Sequence, residues 1–70
     1  MPTYLYNESK TDGKYHEVHT DSCSHLPSSW NRKDLGWHAN CREAIQTAQN
    51  RTGDYDFDGC AYCCNDCHNG

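Results

Sequence analysis

Apolar positions are sparse in this chain, and their spacing changes along it. Thr3-Tyr4-Leu5-Tyr6 is aromatic and β-rich, and Lys14-Tyr15-His16-Glu17-Val18-His19 alternates at period two. The polar stretch Asn7 to Gly13, with Asp12-Gly13, supplies turn chemistry between them, so the first twenty residues predict a β-hairpin. In its second strand Tyr15, Glu17 and His19 face one side while His16 and Val18 face the other, which puts His19 at a strand end. Ser22 to Asp34 has no periodicity. It reads as a long connection held at Cys23, anchored by Leu26-Pro27 and covered by Trp30. Asp34-Leu35-Gly36-Trp37 is a short extended piece.

The strongest local signal is Asn40-Cys41-Arg42-Glu43, an N-cap with glutamate at the third helical position. It predicts a helix from Cys41 to about Arg51, with Cys41, Ala44, Ile45 and Ala48 as its narrow apolar face and Gly53 as its stop. Asp54 to Gly59 alternates acidic and aromatic residues. This stretch is expected to be solvated, with Phe57 tucked inward, and it leads into Cys60.

Composition makes such a fold marginal. Seventy residues form one domain spanning 1–70, only 34% of them are hydrophobic, and the mean hydropathy is -1.12. A chain of this size buries about 60% of its unfolded surface. A structural zinc site contributes on the order of 10 kcal/mol to folding, against roughly 3 to 5 kcal/mol from so small a core. The fold class expected is therefore a small α+β zinc-stapled domain: an N-terminal β-hairpin, one central α-helix and a C-terminal Cys-rich knuckle. Trp30, Trp37 and the tyrosines are expected to complete its core.

The candidate clamp is Cys60-x2-Cys63-Cys64-x2-Cys67, followed by His68. Two-residue gaps let both thiolates of one turn reach a single cation, whereas a disulfide across so short a loop is strained. The N-terminal residues lack the basic start, apolar stretch and cleavage site of a signal peptide. The expectation is a cytoplasmic chain with reduced thiols. Gly59 permits the tight turn that Cys60 and Cys63 need, and His19-x3-Cys23 offers a nitrogen and a sulfur to complete a tetrahedron. His19, Cys23, Cys60 and Cys63 are thus the expected Zn2+ ligands, with His16 as an alternative to His19. Cys64 and Cys67 have three readings. They replace the upstream pair, they build a second site with His68 and Cys41, or they are buried as small apolar thiols. For Cys41, on the apolar helix face, a packed core thiol is expected, although the helix N-terminus favours its thiolate and leaves a redox or metal role open. Mixed imidazole and thiolate ligation favours zinc, and an adjacent cysteine pair argues against an iron-sulfur run.

The formal charge is -4, and a three-thiolate, one-imidazole zinc site brings it to about -5. Lys10, Lys14, Arg32, Lys33, Arg42 and Arg51 are scattered, which disfavours a phosphate backbone as partner. No apolar run approaches the roughly 20 residues of a membrane span. The function expected is a non-catalytic zinc-binding module that meets another protein. A single-stranded nucleic-acid module, stacking bases on Tyr4, Tyr6, Tyr15 or Trp30, and a thiol redox protein are the alternatives. Asp58 and Asp66 are the carboxylates nearest the clamp, but nothing arranges them as a general base, so an enzyme ranks lower.

The segments His16 to Pro27, Leu35-Gly36, Cys41 to Ala44 and Gly59-Cys60-Ala61-Tyr62-Cys63-Cys64-Asn65-Asp66-Cys67-His68 resemble a family of short, mainly bacterial Cys-rich proteins of unassigned activity. More remotely, His-x3-Cys, a helix and Cys-x2-Cys are similar to zinc modules appended to some nucleases and to the zinc domain of methylphosphotriester DNA repair proteins. That similarity implies His19, Cys23, Cys60 and Cys63 as the ligand set. The repair domain uses four cysteines, one of which accepts a methyl group. Here His19 stands at one such place, and the arginine-rich surroundings that grip DNA are missing.

Overall fold

A computed structural model describes residues 3–10 and 13–69. Four strands form one sheet: β1 (Thr3–Asn7), β2 (His16–Thr20), β3 (Arg32–Trp37) and β4 (Phe57–Gly59), in the order β3-β1-β2-β4. The expected hairpin is present, with Leu5 opposite His19 and Tyr6 opposite Val18. The Asp12 half of its expected Asp12-Gly13 turn lies outside the described residues. β3 extends the short piece expected at Asp34 and pairs antiparallel with β1, across a register shift between Tyr4 and Leu5.

The single α-helix, α1, runs from Cys41 to Thr52. Its cap forms as the sequence predicts: the Asn40 side chain accepts from the Glu43 N–H at 3.0 Å. Glu43 reaches back one residue further than a capping box requires and accepts from the Ala39 N–H at 3.4 Å. Gly53 closes the helix in the left-handed region at φ 73°, donating to the Gln49 carbonyl. Ala44 and Ala48 are fully buried and, being small, bring α1 close to Tyr4, Val18, Leu35 and Phe57 of the sheet.

β4 is the element that the sequence pattern hides. Asp54 to Gly59 is not a solvated spacer throughout. Its last three residues are a buried strand parallel to β2, with Phe57 opposite His16, Asp58 opposite Glu17 and Gly59 opposite Val18. The backbone continues the pairing on both sides, His16 N–H to the Asp56 carbonyl at 2.8 Å and Cys60 N–H to the Val18 carbonyl at 2.9 Å. Asp58 is buried without being orphaned: it accepts from the Asn69 N–H at 2.7 Å and faces His68 Nδ1 at 3.2 Å.

The aromatic core is smaller than expected. Tyr4 is buried, Tyr6 packs edge-on against Phe57, and Leu26 packs against the core. Trp30, however, is 78% exposed on a 3-10 turn (Ser29–Asn31), and Trp37, Tyr55 and Tyr62 also stand in solvent. With one helix on a short sheet there is too little second layer to cover them.

A glycine is required at 59. A Cβ there would sit 2.5 Å from the Cys64 carbonyl oxygen and 2.8 Å from Cys67 Cβ. Gly59→Ala is expected to lower stability by about 2 to 3 kcal/mol, as overpacking against backbone does, read from urea unfolding of the metal-loaded protein. Asn40→Ala should cost about 1 kcal/mol through the lost cap.

Candidate metal centre

Strand pairing alone brings two of the four candidate ligands to one place. Because β4 aligns Gly59 with Val18, the next residue in each strand, Cys60 and His19, are neighbours at the same sheet end. Cys23 returns to that end through a turn in which its N–H donates to the Thr20 carbonyl at 3.2 Å. Cys63 follows Cys60 by one turn, which the Cys64 N–H closes on the Cys60 carbonyl at 2.8 Å. One donor atom from each of His19, Cys23, Cys60 and Cys63 lies within 4.8 Å of every other. Cys23 Sγ and Cys60 Sγ are 3.9 Å apart, and Cys63 Sγ is 3.8 Å from His19 Nδ1. Sulfurs about 2.3 Å from a tetrahedral cation stand roughly 3.8 Å from one another. The cluster is able to hold a metal ion.

The surrounding backbone fits thiolates better than thiols. Each sulfur receives a main-chain N–H: His25 to Cys23 at 3.4 Å, Tyr62 to Cys60 at 3.4 Å, and Thr20 to Cys63 at 3.3 Å. The first two are N–H to sulfur bonds from the second residue after the cysteine, a bond that each tight turn makes by its own geometry. The imidazole is equally prepared. His19 Nε2 is 3.1 Å from Asn7 Oδ1 and 3.3 Å from Glu17 Oε1. Oxygen acceptors on that side place the proton on Nε2 and leave the Nδ1 lone pair facing the sulfurs, the arrangement in which an outer partner orients a metal-binding histidine.

Electrostatics point the same way. His19 is fully buried, and burial, with His25 and Arg32 adding to it, holds its imidazole below the ordinary value. Cys23 is pushed up by burial and by its neighbour Cys63. Both shifts favour neutral groups in a dry, crowded site. A divalent cation reverses the balance for the sulfurs by supplying the charge that water no longer screens.

The other candidates go elsewhere. His16 Nδ1 donates to the Asn7 carbonyl at 2.9 Å, its Nε2 meets Asp54, and its ring stacks on Phe57, so it does not join the cluster. Cys41 and Cys67, expected as reduced thiols or further ligands, form a disulfide with Cα atoms 6.4 Å apart. The short-loop objection does not reach this pair, because it spans 26 residues and joins α1 to a 3-10 turn (Asn65–Cys67). That pairing leaves neither residue for a second site. His68 bonds to the Gly59 carbonyl through Nδ1 at 3.0 Å. Cys64 stays a buried thiol, pushed up to about 12 by burial first and then by Cys63 and Cys60. Asn7 and Glu17 are the site residues that the sequence reading missed. Glu17 lies two positions before His19 on the same side of β2, a signal that alternation offered; nothing local marks Asn7.

Comparison with family models, curated proteins and solved structures yields no match.

Removing the outer support should weaken the metal without removing a ligand. Asn7→Ala is expected to lower zinc affinity about 10- to 100-fold, measured by competition with a chromophoric chelator, while Lys14→Ala, on an exposed turn, leaves it unchanged.

Proposed function

We propose that the chain is a zinc-binding module in which His19, Cys23, Cys60 and Cys63 fill all four positions around a structural Zn2+, and which serves as a platform for a protein partner rather than as a catalyst. The observation that carries the reading is the convergence of three main-chain N–H groups on three sulfurs beside an imidazole whose proton is held on the far nitrogen. A donor set of three sulfurs and one nitrogen suits zinc, and a closed tetrahedron leaves no position for substrate. The site ties the end of β2, the following loop and the C-terminal knuckle together, so its energy is folding energy.

The platform reading rests on the surface. Trp30, Trp37, Tyr55 and Tyr62 are large and exposed, and such side chains are enriched where proteins meet. A nucleic-acid partner is less well supported. Beside Trp30 the two adjacent basic residues are already engaged, Arg32 with the Pro27 carbonyl at 2.8 Å and Lys33 with Glu8 at 3.6 Å. Among the described residues no helix is long and apolar enough to cross a membrane.

Native mass spectrometry is expected to show one zinc per chain. Chelation should abolish the cooperative thermal transition seen by circular dichroism, and Cys23→Ala should do the same without chelator. An apo chain that stays folded would overturn the structural role. Acidification should release the metal, since protons compete for three thiolates and one imidazole; zinc loss is expected below about pH 6 and restored on return to pH 7.5. Single-stranded oligonucleotides at low salt should show no saturable binding.

A further inference from the structure

The six cysteines divide into three metal-site sulfurs, one buried thiol and one disulfide, and the disulfide is built asymmetrically. Cys41 is the first residue of a twelve-residue helix and is buried to 8% exposure. Cys67 is half-buried, at the end of the three-residue 3-10 turn. Two surface cavities reach it. One, of about 200 Å³, is lined by Asn40, Cys41, Arg42, Asp66 and Cys67, and so exposes both halves of the bridge. The other, of about 380 Å³, opens on Cys67 from the side of Phe57 and Asn69. A thiolate must approach along the S–S axis, attacking the sulfur it can reach and expelling the one behind it. Cys67 is the less buried of the two, half-buried against 8% exposure for Cys41, and the Cys41 sulfur belongs to the first residue of α1, where a departing negative charge is favoured.

We propose that Cys41–Cys67 is a thiol–disulfide exchange site for low-molecular-weight thiols, attacked at Cys67 and releasing Cys41 as a thiolate at the helix N-terminus. In the first step a bond forms between the incoming sulfur and Cys67 Sγ, the protein S–S bond breaks, and its electron pair passes to Cys41 Sγ. In the second step another thiolate attacks the incoming sulfur of the mixed disulfide and releases Cys67 as thiolate. Two small thiols are oxidised to one disulfide, the protein bridge is reduced to two thiols, and the two protons given up by the small thiols go to the two protein sulfurs. Arg42 and Asp66 both line the smaller cavity, so one charge of each sign faces an incoming thiol. No step uses the metal, so the inference stands or falls independently of the zinc assignment.

The experiment uses the full chain purified in air with its metal in place. The native protein is pulsed with reduced glutathione or 2-mercaptoethanol, trapped with iodoacetamide, and analysed by peptide mapping while bound metal is quantified in the same sample. The expected result is a mixed disulfide on Cys67 with about a tenfold preference over Cys41, alkylated Cys41, and metal retained. Four results would each overturn the proposal: Cys41 and Cys67 free before any thiol is added, adducts mainly on Cys41, adducts confined to Cys23, Cys60 and Cys63 with loss of metal, or a Cys64–Cys67 bridge formed by internal exchange. Failure of the native chain to react at thiol concentrations that reduce the urea-unfolded chain would overturn it as well.

Discussion

Three sulfurs and one imidazole are gathered at the end of a small sheet in a cluster able to hold a metal ion, and only Cys63 among the four is partly exposed. His19 has no exposed surface, and the sulfurs of Cys23 and Cys60 are 3.9 Å apart. Without a cation, burial favours the neutral forms of His19 and Cys23. With a divalent cation the same four atoms become a cross-link among three separate stretches of chain. The apolar core offers little in compensation. Ala44 and Ala48 keep the helix near the sheet but bury modest area, and five large aromatics remain outside.

Local chemistry was readable where a single residue type has a single mechanical role. Asn40, Glu43 and Gly53 announced both ends of α1, and period two in His16 to His19 announced β2 with its correct facing. The convergence of His19, Cys23, Cys60 and Cys63 was readable from spacing, because a tight turn needs its cysteines a fixed distance apart whatever the fold around it. β4 was not readable: three residues, one of them a buried aspartate, carry no apolar alternation, and only pairing with β2 makes them a strand. The Cys41–Cys67 bridge was hidden for a related reason. Its partners lie 26 positions apart, and only the docking of the C-terminal turn against the helix start brings them into range. Trp30 was misplaced because composition shows that a core is needed, not which aromatics a half-covered sheet can reach.

The two covalent or coordinate ties are close in space yet separate in chemistry. Cys63 faces His19, Cys64 is buried one residue later, and Cys67 closes on Cys41. Gly59 lies beneath all of this, against Cys64 and Cys67, so the knuckle and the disulfide share a single packing floor. Tyr62 stacks on His25 at 3.8 Å, joining from outside the turns that carry Cys23 and Cys63.

The parallel alignment of β4 with β2 also orders events in time. On a nascent chain the hairpin and helix have every residue they need before Phe57 is made, yet His19 and Cys23 can offer a cation only two donors until Cys60 and Cys63 emerge, the first of them 37 residues after Cys23. Closure therefore waits on a long-range encounter, which is entropically slow compared with forming a helix. During synthesis β2 has one bare edge at the place where β4 will dock, and the four-donor cluster is completed last.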